Sequence, residues 1–196
     1  MARSITVAVL FSGEGTNLEN LIRRFHEKRF GDRVVRIAAL TNRPEAGGIA
    51  RAEKYGIKPV IVDHREFATR EAFDAELVER LEAMQPDLVV MAGFMRILTP
   101  LFTSRIEAIN LHPSLLPLFK GARAIEESFR SGMKVGGVTV HRVTAELDGG
   151  DILAQRCVPI EEGDTLASFE ERIHAAEYEL LPAVIADLLH LSPSQG

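Results

Sequence analysis

Residues 4–25 read S-I-T-V-A-V-L-F-S-G-E-G-T-N-L-E-N-L-I-R-R-F, and this stretch decides the fold. The β-branched, mostly apolar run from Ser4 to Phe11 predicts a strand. Glycines 13 and 15 follow at once, and Leu18, Leu21, Ile22 and Phe25 then recur at helical spacing. The unit is strand, tight loop, helix. The same alternation continues outward. Val34 to Thr41 reads as the next strand, followed by the loop Asn42, Arg43, Pro44 and a short helix from Gly47 to Tyr55 that stops at Gly56. Lys58 to Val62 is a third strand. Phe73, Leu77, Leu81 and Met84 mark one face of a helix over Arg70 to Met84, ended by Pro86, and Asp87 to Met91 is a strand apolar on both faces. Such alternation predicts a three-layer α/β fold, with a mostly parallel, twisted, Rossmann-like sheet and helices on both faces.

The rhythm changes after Met91. The segment G-F-M-R-I-L-T-P is loop-like and leads to a short helix, and Ile109 to His112 reads as a strand end. A helix over Ala122 to Ser131 precedes two strands, Val135 to Val143 and Ile152 to Pro159. These are joined by T-A-E-L-D-G-G with no helix between, which predicts an antiparallel addition in the C-terminal half. Leu166 to Leu191 carries a long helical pattern that Pro182 should break or kink. The tail S-P-S-Q-G is expected to fray. With no repeat and no linker, the whole of 1–196 reads as a single domain.

Hydrophobic residues make up 46% of the 196-residue chain and charged residues 26%, a globular composition that excludes a disordered chain. The 23 basic against 28 acidic residues leave a net charge of −5 with no basic block, which argues against a nucleic-acid partner. Leu88 to Met95 is the longest apolar run, too short to span a bilayer, and nothing near the start has a cleavage signature, so no membrane role and a cytoplasmic location are expected. Cys157 alone allows no intrachain disulfide and no cysteine-cluster zinc site, and it reads as a small buried hydrophobe. The histidines at 26, 64, 112, 141, 174 and 190 include no pair at metal-ligand spacing, so no metal is expected.

In a parallel sheet, ligands collect beyond the carboxyl ends of the strands, and three loops there carry chemistry. S-G-E-G-T-N can converge backbone N–H groups where a helix N-terminus favours an anion, giving a phosphate cradle. The same spacing is also met by a tight turn capped by Thr16 or Asn17. Leu18 stands where a dinucleotide fingerprint needs its third glycine, so NAD is not expected. In N-L-H-P-S-L-L-P, Asn110 and His112 lie two apart at a strand end and point to one side, with Pro113 forcing an extended backbone. An amide and a protonated imidazole so placed can both donate to an oxyanion. Alternatively, they simply close a strand. The third loop, E-L-D-G-G-D, matters if Asp148 meets His112 and holds it protonated. His141 is another partner for Asp148, or a core histidine.

Taken together and in order, S-G-E-G-T-N-L, A-G-F-M-R-I-L, N-L-H-P-S-L-L-P and V-T-V-H-R-V-T-A-E-L-D-G-G-D-I-L resemble the phosphoribosylglycinamide formyltransferases, folate-dependent enzymes of purine synthesis. The resemblance runs from about Ile5 to Leu189. It implies the formyltransferase fold, with a nucleotide-binding half over 1–98 and a catalytic, folate-binding half over 99–191. It further implies transfer of the formyl group from 10-formyltetrahydrofolate to the amine of glycinamide ribonucleotide. Asn110, His112 and Asp148 would be catalytic. Gly15, Thr16 and Asn17 would hold the substrate's phosphate, and Glu177 would meet its ribose or glycine end. Met95, Arg96, Ile97 and Leu98, together with Asn110, would bind the pterin, and Arg70 would face the folate's carboxylate tail. Glu14 departs from the pattern by putting a carboxylate in the phosphate loop. Neighbouring activities are the hydrolysis of formyltetrahydrofolate, in a family that carries an extra N-terminal domain, and the formylation of a charged tRNA, which needs a C-terminal RNA-binding extension. A folate- or phosphate-binding module without turnover is a further alternative. The helix faces are compatible with a monomer or a homodimer.

Overall fold

In the computed structural model, which describes residues 2–191, the first strand β1 (Arg3–Phe11) lies at the centre of a mixed eight-stranded sheet. On one side it pairs in parallel with β3 (Arg33–Thr41), which is flanked in turn by the antiparallel β2 (Lys28–Phe30) and the parallel β4 (Val60–Ile61). On the other side come β5 (Leu88–Ala92) and β6 (Ala108–His112), both parallel, and then the antiparallel pair β7 (Val135–Arg142) and β8 (Ile152–Pro159). The expected parallel sheet with a C-terminal antiparallel addition is therefore the observed one. The tail at 192–196 lies outside the described residues.

Alternation along the strands builds two cores. Val7, Val9 and Phe11 face the helices α1 (Thr16–Phe25) and α6 (Leu166–Leu188), while Ala8 and Leu10 face α3 (Arg70–Met84) and the short α4 (Pro100–Thr103). The remaining helices are α2 (Gly48–Glu53) and α5 (Ala124–Arg130). Helix α1 buries Leu18, Leu21, Ile22 and Phe25, the same apolar face that its spacing predicts. Each such side chain stabilises by about 1.5–3 kcal/mol when fully withdrawn from water. On β6, Ile109 and Leu111 enter the first core, so Asn110 and His112 emerge on the other face at the strand's carboxyl end.

Three readings are corrected. β2 has too few residues to show a period and its sequence gives no strand signal; it is held by pairing with β3. Cys157 is exposed, because β8 is the edge strand and Cys157 lies on the opposite face from Val158, which packs into the first core. Finally, α6 is not broken at Pro182, which is buried inside it. Proline has no N–H for the carbonyl four residues earlier, that of Tyr178. The side-chain amide of Asn20 on α1 donates to that carbonyl instead, at 2.9 Å. A tertiary contact thus replaces the missing rung.

Candidate active site

The loop after β1 ends at Gly15, which caps α1 in the left-handed conformation with φ 70°. A Cβ there would lie 2.6 Å from the Cα of Gly48, so only glycine fits both the backbone and the space. Thr16 and Asn17 begin the helix rather than cap it, and no side chain caps α1. The N–H groups of its first turn are therefore available to an anion, and the helix dipole favours one. The carboxylate of Glu14 lies over Gly47, where a Cβ would come within 2.7 Å of Oε2. Asn17 donates from Nδ2 to Oε2 of Glu177 at 3.0 Å, whereas its Oδ1 is buried without a partner. Glu177 is 5% exposed, and the same Oε2 lies 2.9 Å from Nδ1 of His174. That hydrogen bond pushes the His174 pKa above the ordinary histidine value, outweighing desolvation. Asn17 and Glu177 are thus brought together from distant parts of the chain.

Beyond β5 and β6 a cleft is lined by Arg96, Ile97, Leu98, Asn110, His141 and Asp148, among others. Leu98 is buried and Ile97 is 52% exposed, while Met95, 58% exposed, is not among the residues that line the cleft. The Arg96 guanidinium lies over the Phe73 ring, 5.3 Å from its centroid, with Nε buried and unpartnered. Arg70 is exposed at the first turn of the helix that carries Phe73. Sequence reasoning missed Asp74, which is 1% exposed and accepts from both the N–H and the hydroxyl of Thr99, at 2.6 and 2.7 Å. It fixes the far end of the 95–99 segment. An acid on a helix's apolar face is the only sequence signal of that role.

Asn110 and His141 face each other across β6 and β7, with Asn110 Nδ2 at 3.1 Å from His141 Nε2. His141 Nδ1 is 2.8 Å from the Arg142 carbonyl, so that nitrogen carries a proton. Asp148 sits between two imidazoles. Its Oδ2 is 3.5 Å from His112 Nδ1, and its Oδ1 is 3.7 Å from His141 Nε2. The backbone N–H of Gly121 donates to Asp148 Oδ2 at 2.9 Å. Burial by itself would raise the Asp148 pKa. The neighbouring His141 and His112 imidazoles and the Gly121 amide outweigh it, and the carboxyl lies below the ordinary value. Gly150 makes the turn possible, since a Cβ there would strike the Arg142 carbonyl at 1.8 Å.

His112 is 5% exposed, and its Nε2 is 2.9 Å from the Phe119 carbonyl. Both ring nitrogens therefore face acceptors, Phe119 on one edge and Asp148 on the other, a setting that an imidazolium satisfies fully. His112 is not among the residues that line the cleft, and its Nε2 is held by the Phe119 carbonyl. His141, which the sequence left open, lines the cleft in the position next to Asn110. Among the described residues no group of side chains could hold a metal ion, and no helix is long and apolar enough to cross a membrane.

The formyl transferase family model matches residues 5–185. A phosphoribosylglycinamide formyltransferase of Bacillus subtilis is 37% identical over 94% of this chain and 95% of its own length. The trifunctional purine biosynthetic protein adenosine-3 of Gallus gallus is 39% identical over 92% of this chain, which spans only 18% of that longer relative. The crystal structure of phosphoribosylglycinamide formyltransferase from Campylobacter jejuni superposes with a TM-score of 0.92 at 49% identity, covering 96% of this chain and 100% of the other.

Proposed function

The chain belongs to the formyl transferase family, and we propose that it transfers the formyl group of 10-formyltetrahydrofolate to the amine of 5'-phosphoribosylglycinamide, a step of purine biosynthesis. Both ligands are substrates, and no metal enters the reaction as we read it. The observation that carries the reading is the convergence of Asn110 and Asp148 on a cleft walled by Arg96, Ile97 and Leu98. The residues fit these substrates on their own terms. Asn17 Oδ1 and Arg96 Nε are buried and unpartnered, the first beside the phosphate loop and the second in the cleft wall, and each is suited to a polar group of a ligand.

In this reading the phosphate lies on the amides of Gly15, Thr16 and Asn17, with Glu177 toward the sugar or glycine end. The pterin lies against residues 95–98, and Arg70 faces the carboxylate tail. The substrate amine attacks the formyl carbon, and a C–N bond forms as the carbonyl electrons move to oxygen. Asn110 donates an N–H to that oxyanion. Protonated His112 stabilises the same charge and gives its proton to the departing folate nitrogen. Asp148, 3.5 Å from His112 Nδ1, orients that ring and helps the incoming amine lose its proton through water. For His112 Nε2 to reach the reacting atoms, the Phe119 carbonyl must give way, so substrate entry exchanges that carbonyl for the intermediate.

The test is a spectrophotometric assay of folate turnover with and without the nucleotide, with the product checked by mass. Turnover that requires the nucleotide and yields its formylated form is expected. Turnover without the nucleotide would mean hydrolysis instead, and binding without product in either tube would mean a module without catalysis.

A further inference from the structure

Ser12 opens the loop that leads to Gly15 and bonds to the segment that starts the pterin wall. It is the first residue after β1, 2% exposed, and three residues ahead of Gly15. Its backbone N–H donates to the Gly93 carbonyl at 3.0 Å. Its hydroxyl accepts from the Met95 N–H at 2.7 Å and donates to Oδ1 of Asn42 at 2.6 Å. Asn42 is itself 1% exposed at the end of β3, with its amide nitrogen 3.2 Å from His64. The hydroxyl's proton is therefore committed to Asn42, which turns a lone pair toward Met95. One residue further on, the Gly13 carbonyl accepts from the Gly48 N–H at 3.1 Å, so the start of the loop is pinned on two sides.

We propose that Ser12 is a positioning residue that sets the spacing between nucleotide and folate, by tying the phosphate loop to the amide of Met95 that starts the pterin wall. This inference rests on the transferase reading above. A nucleotide phosphate that orders Gly15 to Asn17 also orders Ser12, and through it the Met95 amide. Asp74 holds the far end of the segment at Thr99, and Ser12 holds the near end. Of the two anchors, only Ser12 is shared with the other substrate. Binding of one substrate should therefore strengthen binding of the other.

The experiment is calorimetric titration of tetrahydrofolate, which has no formyl group to transfer, with and without glycinamide ribonucleotide, in the wild type, Ser12→Ala and Ser12→Cys. In the wild type the nucleotide is expected to tighten tetrahydrofolate binding about fivefold, the low end of ordinary coupling between sites. In both variants the ratio should fall to about one. The cysteine fills the serine's volume but is a weak acceptor, so a packing role would be rescued by it and a hydrogen-bonding role would not. A wild-type ratio of about one overturns the proposal even if neither variant folds. So does a wild-type ratio retained in folded Ser12→Ala, or restored in Ser12→Cys. If the wild type binds neither ligand, it is the transferase reading that fails, and this inference with it.

Discussion

The proposed phosphate loop and the proposed catalytic turn lie at the same edge of the same sheet but are built in opposite ways. The loop is local: Gly15, Thr16 and Asn17 are consecutive, and the groups they offer are main-chain amides held by a glycine contact with Gly48. The catalytic turn is assembled from side chains on β6, on β7 and in the 144–150 connection, with Asp148 bridging two imidazoles. Main-chain donors fixed by packing suit a charge that is present throughout the reaction. Side-chain groups that gain and lose protons suit a charge that appears only at the transition state. The two regions should therefore fail differently when mutated: the first in affinity, the second in turnover.

The sharpest break falls on the catalytic side. His112→Ala and Asn110→Ala should each lower kcat by about a hundred- to a thousand-fold, the usual cost of removing an oxyanion donor, with KM for the nucleotide little changed. Steady-state kinetics would check this, and a near-normal kcat in either variant would remove that residue from the chemistry. Gly15→Ala should do the reverse. Its φ of 70° and the 2.6 Å approach to Gly48 strain any side chain. A strain of about 1–3 kcal/mol at this loop should raise the nucleotide KM roughly tenfold or more while kcat at saturation holds. If kcat fell instead, the division between the two regions would be wrong.

Asp74 belongs to neither region and probes the wall between them. Asp74→Ala leaves the buried N–H and hydroxyl of Thr99 without their acceptor. The expected cost is about 1–3 kcal/mol in urea unfolding, with a higher KM for the folate and an unchanged one for the nucleotide. A nucleotide KM that moved as much would show that the 95–99 segment is not specific to one substrate.

The same contrast explains what the sequence could reveal. The strand-loop-helix of residues 4–25 was legible because period, glycines and apolar spacing are all local, and so were α3 and the antiparallel strands of the second half. Asn110 and His112 were legible as a pair because a strand fixes their common face. Three features were not legible, because each depends on how separate segments meet in the fold. Pro182 reads as a helix breaker until Asn20 is seen to satisfy the Tyr178 carbonyl. Cys157 reads as buried until β8 is seen to be an edge strand. His112 reads as an open donor until the Phe119 carbonyl is found on its Nε2 edge. The contact of Asn17 with Glu177, 160 residues apart, is likewise one that no local pattern shows.

The smallest effect expected is one of pH on stability, and it separates the two regions by sign. Asp148, in the catalytic turn, has a pKa below the ordinary 3.8, so its contribution is present above that value and is lost as pH falls through the lower folded pKa. His174, beside the phosphate loop, has a pKa above the ordinary 6.5, so its contribution is complete below that value and is lost as pH rises through the higher folded pKa. Its side chain is 41% exposed, and solvent screening holds the pair with Glu177 to under about 1 kcal/mol. Urea unfolding of the wild type, Asp148→Asn and His174→Gln from acid to mildly alkaline pH would resolve the two. The gap between wild type and Asp148→Asn should close at the acid end, and the gap to His174→Gln at the alkaline end. If both gaps closed at the same end, one of the two hydrogen-bond assignments would have the wrong sign. If the His174 gap stayed constant with pH, its contact with Glu177 would be one between neutral groups, and the cation beside the phosphate loop would be absent.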